Sequence, residues 1–128
     1  MTTVPIYLLV ILLLLLQLKH HYLDYRNQTD DEQLAKTDLF RRSAIIHSIR
    51  HGAATALCLI VVFPAHPLFA VIAGAADTVV HHLIDFFKTR IEGWNNSLIG
   101  HRYIWGVDQL FHQLSYLALI LVVGCVLH

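Results

Sequence analysis

The sequence predicts an all-α fold: a four-transmembrane-helix up-down bundle with N-out/C-out topology, built from two parallel-repeat helical hairpins. Three observations predict it. The 128 residues (14.6 kDa) are 56% hydrophobic and only 14% charged, with a mean hydropathy of +0.57, too apolar for a soluble domain of this size. Four windows approach the roughly 20 residues that cross about 30 Å of hydrocarbon at helical rise. A pattern of histidine and aspartate also occurs twice, 61 residues apart. The chain reads as a single integral membrane domain, 1–128, with a first hairpin over 4–63 and a second over 68–127.

The first span is Val4 to Leu23, wholly apolar from Leu8 to Leu16. It reads as a retained helix. No basic residue precedes it, and Lys19-His20-His21-Tyr22 stand where a secretory signal would carry a small-x-small cleavage pattern. Thr29 to Asp38 (TDDEQLAKTD) reads as a polar link to the second span, Ala44 to Phe63. Pro64-Ala-His-Pro67 is a tight breaker whose second proline suits the first turn of the third span, Leu68 to Lys88. Ile91 to Gly106, with three glycines and two asparagines, reads as a longer connector before the fourth span, Val107 to Leu127. Every Lys and Arg, from Lys19 to Arg102, lies near the first or third of these links. By the positive-inside rule both links are cytoplasmic and both termini face outward. Topology alone accounts for Arg41, Arg42 and Arg90.

Nine Lys and Arg balance nine Asp and Glu, so nucleic-acid binding has no electrostatic support. Two cysteines are too few for a disulfide scaffold or a Cys-type zinc site, and Cys58 and Cys125 read as core residues. Histidine is the anomaly, with ten in a chain short of polar surface. HHYLDY (20–25) recurs as HHLIDF (81–86), and the same shift carries His47 onto Asp108 and His51 onto His112. Each half therefore holds a His-x-x-x-Asp pair and, 27 residues on, a second i,i+4 pair. Duplication explains such agreement of identity and spacing, and two hairpins of one orientation imply a pseudo-two-fold axis along the membrane normal.

Residues four apart share a helical face. The pairs His20/Asp24 and His81/Asp85 end their helices, whereas His47/His51 and Asp108/His112 begin theirs, so an up-down arrangement brings all eight to one level near the cytoplasmic edge. Ionisable groups at that depth face the interior and satisfy one another or a cation. Inward residues at helical spacing hold two metal ions in soluble four-helix carboxylate proteins. The expected ligands are thus His20, Asp24, His47, His51, His81, Asp85, Asp108 and His112, for one or two divalent ions. Nitrogen and oxygen ligation points first to Zn, then to Mn or Fe. The competing reading of the same residues is a polar zipper or proton path without metal.

Further residues carry weaker expectations. Asp77, one turn deeper than His81 on the same face, either orients that imidazole, binds metal or carries a proton, or is a lone acid bonded to a neighbouring helix. Gln28 continues the His20/Asp24 face, and Gln109 stands beside Asp108; with Asp77 both are expected to support the ligands from behind. His21 and His82 point about 100° away from their neighbours, while His66, His101 and His128 are expected in solvent. Tyr22, Tyr25, Trp94, Tyr103 and Trp105 fit an aromatic belt, and Gly52, Ala53, Ala56, Gly74 and Ala75 fit close helix approach. The chemistry expected is a metal-dependent hydrolase at the cytoplasmic membrane surface, acting on a lipid-like or phosphorylated amphiphile. Asp24, Asp85 or Asp108 would bridge metal or act as base, and Lys88 or Arg50 would hold negative charge, although snorkelling to head groups accounts for both cations nearly as well. The alternatives are a metal- or proton-linked transporter or channel, and a non-enzymatic phage membrane effector. The apolar outer halves of the helices oppose a continuous path within one protomer, and a homo-oligomer would be needed to supply one.

The segments HHYLDYRNQTD (20–30), HSIRH (47–51), HHLIDFFK (81–88) and DQLFHQLSY (108–116) resemble, in order and spacing, a family of small bacterial and phage membrane proteins known as domain of unknown function 3307. The resemblance covers most of the chain. It implies a multi-pass protein of the bacterial inner membrane, in a bacterium or a phage-infected bacterium, and brings no assigned reaction. The link between the first two spans is shorter than in longer members. A fainter likeness is to membrane-bound metal-dependent hydrolases, which also carry His-x-x-x-Asp pairs in spanning helices; it transfers no individual role.

Overall fold

The computed structural model describes residues 4–92 and 98–127. Among them there are helices and no strands: α1 (Ile6–His21), continued by a π-helical turn (Tyr22–Arg26), then α2 (Asp30–Ala35), α3 (Arg42–Val62), α4 (Pro67–Glu92) and α5 (Leu98–Val126). The segments Ile6–Arg26, Arg42–Val62, Pro67–Ile91 and Gly106–Val126 are each long and apolar enough to cross a membrane.

Local chemistry sets these boundaries, and it departs from the sequence reading in three places. Pro67 opens α4 itself, where its fixed φ and missing N–H cost nothing. The polar link is partly helical: Thr29 Oγ1 accepts from Glu32 N (3.2 Å) and Glu32 Oε2 accepts from Thr29 N (2.9 Å), a capping box that starts α2. At the end of α1 the bonding widens, with Asn27 N donating to Tyr22 O across five residues. α5 begins at Leu98, so the helix replaces the second half of the expected 91–106 connector. Residues 93–97, with Trp94, lie outside the described residues, as do the side chains of His101, Tyr103 and Trp105 and the terminal His128.

α1 packs on α3 and α5, α3 packs on α4, and α4 packs on α5. The tightest approach joins α3 to α4 at small residues. A Cβ on Gly74 would lie 2.5 Å from the Gly52 carbonyl oxygen and 2.9 Å from Ala56 Cβ, and one on Gly52 would overlap Thr78 Oγ1. Gly52, Gly74 and Ala56 thus provide the expected close approach, whereas Ala53 and Ala75 are exposed. At the end holding the Pro64 turn, Leu12, Leu16, Leu59, Phe63, Ala70, Ala73, Val123 and Leu127 form one apolar core. The outward faces are apolar too, with Leu14, Leu57, Leu68, Ile72 and Leu121 well exposed, as a hydrocarbon solvent allows. The opposite end of the interior is polar.

Candidate metal centre

All eight expected ligands meet at that polar end, and seven of them are buried, with only Asp24 partly accessible at 8% of its side chain. They sort into groups. In the first, Asp24 Oδ1 lies 3.0 Å from His47 Nε2, 3.1 Å from His51 Nε2 and 3.8 Å from His81 Nε2, and the His47 and His81 Nε2 atoms are 3.3 Å apart. Tetrahedral ligands at about 2.0–2.1 Å from a zinc ion stand about 3.3 Å from one another. These four side chains, from the π-helical turn, α3 and α4, therefore match the spacing of a four-coordinate ion.

The hydrogen-bond inventory points the same way. Among the described residues, His47 Nδ1, both nitrogens of His51 and His81 Nδ1 are buried without a hydrogen-bond partner, as are both carboxylate oxygens of Asp85, Asp108 Oδ1 and His112 Nε2. His51 Nε2 approaches Asp24 without hydrogen-bond alignment, and the His51 and His81 rings stack at 3.6 Å. Unsatisfied buried polar atoms are costly in a protein interior, and a cation would satisfy several at once. The residues present fit a divalent ion.

The second group is Asp85, Asp108 and His112, with His112 Nε2 3.5 Å from a carboxylate oxygen of each aspartate. Two ammonium groups oppose it. Lys36 Nζ lies 2.8 Å from Asp85 and Lys88 Nζ 3.2 Å from Asp108. Burial alone would depress the Lys36 ammonium, but Asp85, Asp24 and Asp108 outweigh that and hold it above the ordinary lysine range. His20 sits between the groups with both nitrogens engaged, Nδ1 with Tyr116 OH (3.1 Å) and Nε2 with Gln109 Oε1 (3.1 Å), and with Asp24 at 3.3 Å. With His81 and His112 it also forms a third buried group at ligand spacing.

The supporting residues divide. Gln28 Nε2 reaches His47 Nε2 (3.2 Å) and Gln109 holds His20, as expected. Asp77 Oδ2 accepts from Lys19 Nζ at 2.8 Å and Thr55 Oγ1 at 2.7 Å, so it is an acid bonded to neighbouring helices. Arg50 pairs with Glu32 and donates to Asn27 O (3.0 Å), and Glu32 Oε2 in turn stands 3.9 Å from His47 Nδ1, so Arg50 reaches the first group only through Glu32. Lys88 does stand beside the site. Its neighbour there is a polar cavity of about 160 Å³ bounded by Asp24, Gln28, Lys36, Lys88, Asp108 and Gln109. His21 stacks on Tyr25, and His82 bonds Leu39 O (2.8 Å) and Ser48 Oγ (3.0 Å), so both lie outside the ligand groups. Tyr22, Tyr25 and His66 are exposed.

Four residues at the site escaped the sequence reading. Glu32 and Lys36 arrive on α2 and its C-terminal cap, and the Thr29-x-x-Glu32 spacing of a capping box was the available signal. Lys19, read only as a topological charge, is buried on Asp77 and over the Tyr116 ring. Tyr116 continues the Asp108/His112 face by one more turn, at the same four-residue spacing.

No family model matches the chain, and no curated protein or solved structure is similar to it.

Proposed function

We propose that the chain is a membrane-embedded metal-dependent hydrolase, holding a divalent ion, zinc first, on Asp24, His47, His51 and His81. The observation that carries this reading is the geometry of the first group: three imidazoles and one carboxylate from three elements at tetrahedral spacing. An ion there would lower the pKa of a bound water and stabilise developing negative charge. The second group supplies the remaining functions. Asp85 and Asp108 are carboxylates able to take a proton from water, and Lys36 and Lys88 border the cavity where an anionic ester would sit. Water is divided across the ester, its hydroxyl going to the acyl or phosphoryl centre and its proton to the leaving oxygen.

The same reading sets the location. The chain would be a four-span protein of a bacterial inner membrane, or of a phage-infected bacterium, with the site at the cytoplasmic edge and both termini outward. Two parallel hairpins fit the pattern of contacts: the shift that carries His51 and Asp24 onto His112 and Asp85 also carries the Gln17–Gln113 contact onto the Thr78–Gly52 approach. A channel or transporter is disfavoured by the apolar core that closes the other end.

Elemental analysis of detergent-purified protein tests the metal. Stoichiometric zinc, manganese or iron that is lost in a His51→Ala/His81→Ala variant with unchanged circular dichroism supports the assignment. A protein that takes up none of these ions after reconstitution overturns it.

A further inference from the structure

The seam between α4 and α5 carries two apolar hollows on its outer side. One, of about 460 Å³, is walled by Val80, Leu83, Ile84, Phe87, Ile91 and Phe111. The other, of about 300 Å³, runs on toward Phe69 and Val122, and the two meet at Val80. Together they follow α4 from Phe69 to Ile91, about 30 Å at helical rise, the thickness of one hydrocarbon core. Asp77, at the edge of the second hollow, is already tied to Lys19 and Thr55.

The larger hollow ends on Lys88 and Asp108, the ion pair that also walls the polar cavity beside the ligands. One residue pair therefore separates a long apolar groove from a small polar chamber. The chamber's cations are Lys36 and Lys88, each set against a single carboxylate, and an ammonium has three donors to share. The Lys88 stem belongs to the groove and its ammonium to the chamber, an amphipathic side chain at an amphipathic boundary.

We infer that the site takes a single-chain amphiphile with a phosphoryl head, its chain lying along the α4/α5 groove and its head in the polar cavity between Lys36 and Lys88. This rests on the hydrolase reading for its purpose, and on the continuity of groove and chamber for its geometry. A dianionic head answers two lysines, a volume of about 160 Å³ admits a head no larger than a compact phosphoester, and two hollows that share Val80 along α4 form one track for one chain.

Photolabelling of the full chain in phosphatidylcholine nanodiscs tests it, with zinc content measured on the same samples. The probe is a hexadecyl phosphate bearing a diazirine in its chain. Adducts are expected on Leu83, Phe87 and Phe111, displaced by unlabelled hexadecyl phosphate and left in place by equal hexadecanol or inorganic phosphate. Leu83→Trp, which fills the groove away from every ligand, should cut these adducts about tenfold, a change of about 1.4 kcal/mol in affinity, with zinc content unchanged. Lys88→Gln should erase the preference for phosphate over alcohol. Labelling spread evenly over lipid-facing residues such as Leu14 and Leu57, or equal labelling by a hexadecyl trimethylammonium probe, overturns the inference. Protein that takes up none of zinc, manganese or iron yet still labels in the groove would sink the hydrolase reading and leave the groove assignment standing.

Discussion

Asp24 and Asp85 hold the same place in the sequence motifs HHYLDY and HHLIDF, yet their surroundings differ in kind. Asp24 faces four imidazoles, those of His20, His47, His51 and His81. Asp85 faces the Lys36 ammonium at 2.8 Å, and Asp108 beside it faces Lys88. A carboxylate among imidazoles has no ammonium in contact, whereas Asp85 and Asp108 each have one. One polar cluster thus divides into two poles with different charge partners, and the proposed ion belongs to the first.

The sharpest way to break this comparison is to remove the first pole's charge. Asp24→Asn should lower zinc affinity at least about a hundredfold, beyond the loss caused by deleting an outer hydrogen-bond partner, read by competition with a chromogenic chelator. Asp85→Asn should leave zinc binding within a few-fold and instead destabilise the fold by about 3 kcal/mol, because it strands a buried ammonium, read by denaturation in mixed micelles. Replacing both members, Lys36→Met with Asp85→Leu, should recover most of that stability, since a buried pair is often matched by apolar residues of similar volume. If Asp85→Asn abolished zinc binding, the poles would be one dinuclear site.

Smaller effects test how the poles are held in register. Gly74→Ala drives a methyl against the Gly52 carbonyl and should cost about 2 kcal/mol, the scale of overpacking in a close interface. It should also weaken zinc binding, because His51 and His81 stack across that same helix pair. Thr29→Ala removes the α2 cap and should cost about 1 kcal/mol. Its effect should fall on the second pole, where α2 delivers Lys36, and be visible as faster amide exchange over Asp30–Ala35 with zinc affinity retained.

Much of this arrangement was legible in the sequence, for a definite reason. An i,i+4 pair of ionisable residues in an apolar helix has one affordable direction, inward, so His47/His51 and Asp108/His112 reveal both their helices and their facing surfaces. The same reasoning failed for Glu32 and Lys36. They sit in a charged stretch that reads as a solvated link, and only the tertiary fold turns Glu32, Ala35 and Lys36 of TDDEQLAKTD inward. Lys19 failed because a lysine near the end of a span is ordinarily a snorkelling residue. The start of α5 failed because Gly100 and Gly106 suggest a loop, although the helix runs through both. Nothing in YLDYR announces a π-helical turn, since it holds neither proline nor glycine.

That turn makes the number of residues, as well as their type, part of what the site demands. Tyr22–Arg26 carries one residue more than regular helical bonding would need. Five residues of π-helical bonding turn the chain through about the same angle as four of α-helix, so the extra residue is absorbed in the turn and α1 keeps its face toward the interior. Deleting it would leave Lys19 and His20 inward, and the loss would fall on the turn itself, where Asp24 meets His47 and His51. A one-residue deletion inside the regular part of α1 has no such turn to absorb it and would rotate Leu12 and Leu16 about 100° away from the side that Lys19 and His20 face.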